Sequence, residues 1–121
     1  MTETYFFDTY TIIELINGNS KYTNFLQIMG ITTIFNLAEL NYALKRRLEE
    51  AFADQLTGDY NKCLVDVTLE DIKKAMSLRL KRKKMSAPDA IGYTVAKRLG
   101  VKFLTGDEDF KDLDNVELIK K

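Results

Sequence analysis

Carboxylates are the side chains through which this sequence can do chemistry. Its 121 residues include no histidine and one cysteine, Cys63. Ser-His-Asp and Cys-His catalysis are therefore excluded, and so is a zinc site built on imidazole or on several thiolates. Four acids stand where structural elements are predicted to begin or end. Asp8 follows the aromatic run Tyr5-Phe6-Phe7, and Glu39 lies in Asn36-Leu37-Ala38-Glu39. Asp89 lies in Ser86-Ala87-Pro88-Asp89, and Asp107 follows the apolar stretch Val101–Leu104. Each has an ordinary explanation. Asp8 and Asp107 suit N-caps, and the segments holding Glu39 and Asp89 read as capping boxes, the second with proline in the first turn. Thr68-Leu69-Glu70-Asp71 is a third capping box and is assigned no function.

The elements that would position these acids follow from periodicity and from stop signals. Strands are predicted at Tyr5–Phe7, Ile31–Phe35, Lys62–Val67, Val101–Leu104 and Asn115–Ile119. Helices are predicted over Thr9–Ile16, from Ser20 to Gly30, over Asn36 to about Leu56, from Thr68 through Leu80, and over Ser86–Leu99. Strands alternating with helices predict an α/β fold in three layers, α/β/α, around a central, mostly parallel five-stranded sheet. In such a sheet the helix after each strand begins at the carboxyl edge. The helix opening at Ser86 runs back against the strands, so Asp89 lies on the same edge as Asp8, Glu39 and Asp107. Ligand sites form on that rim, where strand order reverses.

Converging carboxylates repel, and they are tolerated when protonated or when a cation sits among them. Hard oxygen donors without imidazole or thiolate select Mg²⁺ or Mn²⁺, and such ions activate water and stabilise displacement at phosphorus. The run Arg79-Leu80-Lys81-Arg82-Lys83-Lys84 precedes Asp89. It suits either a solvated helix end or contact with a phosphate backbone, with Lys83 and Lys84 nearest the acid. Lys45-Arg46-Arg47 is a weaker basic patch. Tyr10, Tyr22, Tyr42 and Tyr93 suit stacking on unpaired bases, though such tyrosines more often belong to the core or the rim.

Bulk properties limit the field without choosing a partner. Basic and acidic residues balance at 18 each, so only local clustering bears on nucleic-acid binding. The length suits one domain, residues 1–121. With no signal-peptide pattern, no membrane span and a single cysteine, a cytoplasmic protein is expected.

The sequence resembles the PIN-domain nucleases, and most of all the VapC-type toxins of toxin–antitoxin pairs. Phe6-Phe7-Asp8-Thr9, Asn36-Leu37-Ala38-Glu39-Leu40, Ser86-Ala87-Pro88-Asp89-Ala90 and Leu104-Thr105-Gly106-Asp107-Glu108-Asp109-Phe110 are similar to that family's acidic blocks, in the same order. Val67–Ile72 with Ala75 is similar to a structural segment common in the family. The resemblance implies that Asp8, Glu39, Asp89 and Asp107 bind metal, with Asp109 as an auxiliary acid. It implies that Thr105 orders its loop and contacts metal-bound water or phosphate. It also implies Mg²⁺- or Mn²⁺-dependent endonucleolytic cleavage of RNA, a homodimer, and a small antitoxin covering the site. Tyr10 departs from the family pattern, which has a smaller or apolar residue there. Two other readings remain to be weighed. One is a non-catalytic RNA- or protein-binding module on the same scaffold. The other is a phosphoacceptor receiver domain, which would need an acid adjacent to Asp8 and a late-strand lysine that the sequence lacks.

Overall fold

The computed structural model describes residues 3–120. Its strands are β1 (Thr4–Phe7), β2 (Met29–Ile31), β3 (Lys102–Thr105) and β4 (Val116–Leu118), and its helices are α1 (Thr9–Ile16), α2 (Ile34–Lys45), α3 (Glu50–Gly58), α4 (Leu69–Lys81) and α5 (Ala87–Leu99). Short 3-10 turns lie at Ser20–Phe25, Asn61–Cys63 and Glu108–Phe110. The sheet order is β2-β1-β3-β4 with every pairing parallel. Phe6 pairs with Ile31 on one side and Phe103 on the other, which makes β1 central.

Alternation along β1 divides the core. Phe6 packs with Phe103, Phe110 and the buried residues of α5 on one face. Tyr5 and Phe7 pack with Ile12, Leu37, Leu40 and Leu104 on the other. The Phe6 and Phe103 rings stack at 5.5 Å, and Phe110 meets Phe103 at 4.8 Å. That last contact ties the turn after Asp107 to the sheet.

Besides the helix expected from Ser20 to Gly30, which is a 3-10 turn ending at Phe25 with Met29 and Gly30 in β2, three expectations are corrected. Among the described residues the sheet has four strands, not five: in place of a strand over Lys62–Val67 there is a 3-10 turn, Asn61–Cys63, and one parallel bridge, Thr32 to Leu64. The cause is β2, which ends at Ile31 and turns away into a helix, leaving one residue for a neighbour to pair with. Second, Ile34-Phe35 opens α2 instead of closing a strand, a short apolar run that periodicity cannot assign. Its N-cap is Thr33, whose hydroxyl accepts the Asn36 N–H at 3.2 Å, so Asn36 is no cap. Third, the helix expected over Asn36 to Leu56 is two helices. The chain turns between Lys45 and Glu50, and α3 folds back to bury Ala53 beside Leu44. Asn41 and Lys45 hold Asp54 across that hairpin at 3.0 and 2.8 Å. No proline or glycine marks the break, which packing alone imposes.

Gly30 shows how closely β2 is held. A Cβ there would stand 2.2 Å from the Phe7 ring, so any side chain displaces a buried aromatic. Gly30→Ala is expected to lower stability by about 1–3 kcal/mol, the scale of core overpacking, read from urea unfolding midpoints.

Candidate active site

Asp8 is the N-cap of α1, and its carboxylate accepts the Thr11 N–H at 2.7 Å. It is only 1 % exposed. The ends of the central strands are fixed around it by hydroxyls. Thr11 donates to the Leu104 carbonyl at 2.8 Å, and Thr32 donates to the Phe7 carbonyl at 2.9 Å. Thr105, fully buried, accepts the Asp107 N–H at 3.1 Å and sits beside the Asp8 carboxyl.

Asp89 enters from α5. Ser86 caps that helix and accepts the Asp89 N–H at 3.2 Å, which is the N-terminus expected from the sequence. Asp107 caps the 3-10 turn after β3, accepting the Asp109 N–H at 2.9 Å. Glu39 differs from both. Because α2 begins at Ile34, Glu39 lies in its second turn, beyond the reach of the N-cap. The capping-box explanation for this acid is therefore removed. It is nonetheless half-buried and repels Asp89.

The electrostatics report the convergence. Burial pushes the Asp8 carboxyl up to about 7, with Asp89 adding to the shift and hydrogen bonds from Thr105 and Thr11 opposing it. Burial pushes Asp89 up to about 6, reinforced by Glu39 and Asp107 and opposed by Ser86. Each acid of the quartet thus acts on at least one other. They are grouped loosely: among the described residues, no three carboxylates close into a ready ligand set.

Asn36 organises the ground beneath the quartet. It is fully buried. Thr33 donates to its side-chain oxygen at 2.7 Å, and its amide donates to Thr9 at 3.3 Å. Its oxygen also lies 3.3 Å from where a Cβ on Gly92 would stand. One side chain therefore touches α1, α2 and α5, the helices carrying Asp8, Glu39 and Asp89. The sequence reading placed Asn36 as a cap and missed this role. The available signal was a buried-type register, one turn before Leu40 on the apolar face of α2.

The remaining candidates are less central. Asp109 is exposed, and its carboxylate acts on Arg82, not on Asp8 or Asp89. Arg82 grips Asp112 through two bonds of 2.8 and 2.9 Å and donates to the Asp109 carbonyl, so it secures the turn. Lys83 and Lys84 are exposed in the loop leading to Ser86. Lys83 joins Lys73 and Arg79 on an open groove of about 510 Å³ along α4. Tyr93 is buried and donates to Asp114. A mostly apolar cavity of about 830 Å³ lies beside the β2 edge and includes none of the four acids. Size alone would mislead there, whereas convergent titratable groups mark the rim.

A family model described as "PIN domain" matches residues 5–116. The fold is similar to a toxin–antitoxin complex from Klebsiella pneumoniae, with TM-score 0.76 and 19 % identity, covering 97 % of this chain and 98 % of that one. It is similar to Mycobacterium tuberculosis VapC20, described as a sarcin–ricin-loop-cleaving toxin, with TM-score 0.77 and 18 % identity over 96 % and 99 % of the two chains. It is also similar to VapBC2 from Rickettsia felis bound to a promoter DNA fragment, with TM-score 0.72 and 18 % identity over 95 % and 96 %. No curated protein matches by sequence.

Proposed function

The chain belongs to the PIN-domain family, and on that premise we propose that it is a Mg²⁺- or Mn²⁺-dependent endoribonuclease, the toxin of a toxin–antitoxin pair. The observation that carries this reading is that burial raises both Asp8 and Asp89, with Asp89 opposing the charge of Asp8 and with Glu39 and Asp107 opposing that of Asp89. Carboxylates that repel one another are tolerated when protonated, and a cation among them relieves the repulsion once they ionise.

In this reading Asp8, Glu39, Asp89 and Asp107 hold the metal, with Asp109 as an outlying acid. The donor set is all hard oxygen, which fits Mg²⁺ or Mn²⁺. When bound, the ion lowers the pKa of water and neutralises charge on the phosphate. The protein's own residues do the rest. Burial of Asp8 keeps its carboxylate oriented, Thr11 and Thr105 fix its rotamer, and Asn36 keeps the three helices in register. Lys83 and Lys84 face an RNA backbone arriving at the N-terminus of α5, and charge attraction draws it in. Partnership with a small antitoxin, supported by the toxin–antitoxin neighbours, and assembly as a homodimer are part of the same proposal. No helix among the described residues is long and apolar enough to cross a membrane, and a cytoplasmic site of action is proposed.

A non-catalytic binding module is the second reading, favoured by the open spacing of the acids. Incubating the protein with single-stranded RNA and Mn²⁺ separates the two. Internal cleavage that stops on adding EDTA is expected. Intact RNA, together with no Mn²⁺ binding by calorimetry, would leave the module.

A further inference from the structure

Tyr10 and Tyr22 meet at one point on the acid rim. Tyr10 follows Asp8 and Thr9 in α1, and Tyr22 comes from the 3-10 turn Ser20–Phe25. Both abut Gly106, the residue between Thr105 and Asp107. A Cβ on Gly106 would stand 2.5 Å from the Tyr22 hydroxyl and 2.5 Å from Cε1 of Tyr10. The glycine is thus required by the two rings, and the rings are held by the loop that carries Asp107.

The two side chains are presented differently. Tyr10 is 36 % exposed, so part of its ring faces solvent beside Asp8. Tyr22 is 2 % exposed, and its ring is fixed. The Tyr22 hydroxyl enters no hydrogen bond among the described residues. That hydroxyl stands against Gly106, in the loop that carries Asp107. A phenol O–H is a donor at neutral pH, and Tyr10, Asp8 and Glu14 lie near it. Glu14 itself is engaged by the Asn19 side chain. An exposed aromatic face beside a fixed, unused donor is the equipment for one unpaired base: π-stacking on the ring and a hydrogen bond to an acceptor. A double-stranded substrate would offer neither a free face nor a free edge there.

We propose that Tyr10 and Tyr22 form a nucleotide-reading wall beside the acids, Tyr10 stacking on an unpaired base that flanks the scissile phosphate and the Tyr22 hydroxyl donating a hydrogen bond to it. This rests on the endoribonuclease reading and adds to it the two residues that would select a base flanking the cut.

The test compares kcat/KM on a single-stranded oligoribonucleotide with that on the same oligomer made abasic at either nucleotide flanking the cut. Tyr10→Ala lowers kcat/KM on the intact oligomer by about ten- to a hundredfold, the scale of losing one base–aromatic stack. On the oligomer abasic at the stacked position it changes little. Tyr10→Phe stays within about twofold, since the ring remains. Tyr22→Phe loses about five- to tenfold on the intact oligomer, as one net hydrogen bond predicts. Equal losses on intact and abasic oligomers, or no loss in either variant, overturn the wall. Binding of an oligomer carrying 2-aminopurine keeps the two readings apart. Quenching by the wild type that Tyr10→Ala relieves supports the wall even where no RNA is cut. Cleavage with quenching unchanged in Tyr10→Ala overturns the wall and leaves the nuclease standing.

Discussion

Asp8→Asn abolishes Mn²⁺-supported RNA cleavage, by about 10²–10³-fold or more, the scale for removing one preorganised charge stabiliser of a displacement. The same change raises the thermal midpoint of the metal-free protein near pH 8. The two effects point in opposite directions because one side chain serves two demands. As a carboxylate, Asp8 supplies a hard donor at the centre of the quartet. As a buried group 1 % exposed, it must lose hydration to do so, and Asp89 opposes its charge. Asparagine is isosteric and keeps the oxygen that accepts the Thr11 N–H at 2.7 Å, so the cap on α1 survives. Glu39→Gln is the sharper companion. Glu39 caps nothing, so its loss should leave stability nearly unchanged while lowering activity. Full activity in both variants would remove the quartet from the chemistry.

Metal-free stability falls as pH rises from about 4 to about 7, and Mn²⁺ flattens that fall. The folded-state Asp8 is raised to about 7 from an unfolded value of 3.8, and Asp89 is raised to about 6. Below the unfolded value both states hold the proton and these acids make no difference. Between the two values the unfolded chain ionises first, so each unit of pH favours unfolding until the folded pKa is passed. For Asp8 alone the cumulative loss approaches about 4 kcal/mol at the conversion of 1.36 kcal/mol per pKa unit. The window is unusually clean. There is no histidine to titrate in it, and burial raises Cys63 away from it. The paired acids Asp71, Asp112 and Asp114 are lowered, so their contribution is lost only at pH below the window. Thermal midpoints in EDTA across pH 4.5–7.5 should decline through the whole range for the wild type and, in Asp8→Asn, decline less and level out above about pH 6, where only the Asp89 contribution has been lost. A flat wild-type profile would mean that Asp8 is already ionised in the fold without metal, and the crowding argument would fail.

Local chemistry made much of this protein legible from sequence. The caps at Asp8, Ser86, Thr68 and Asp107 fell where short polar side chains precede apolar periodicity, because capping is decided within a few residues. The alternation of strand and helix led Asp8, Glu39, Asp89 and Asp107 to be expected on one rim, since parallel strands impose that edge on whatever follows them. What failed was every feature decided by a distant partner. Whether Lys62–Val67 became a strand depended on β2 offering a neighbour, and β2 ends at Ile31. Whether the chain from Asn36 onward stayed one helix depended on burying Ala53 against Leu44. Where α2 began depended on Thr33 turning its hydroxyl toward Asn36, and that single shift freed Glu39 from a capping role and turned Asn36 inward. Residue types alone determined that any chemistry here must be carboxylate chemistry. Only the tertiary structure decided which carboxylates feel one another, because repulsion depends on separation and burial, and neither is written in the order of residues.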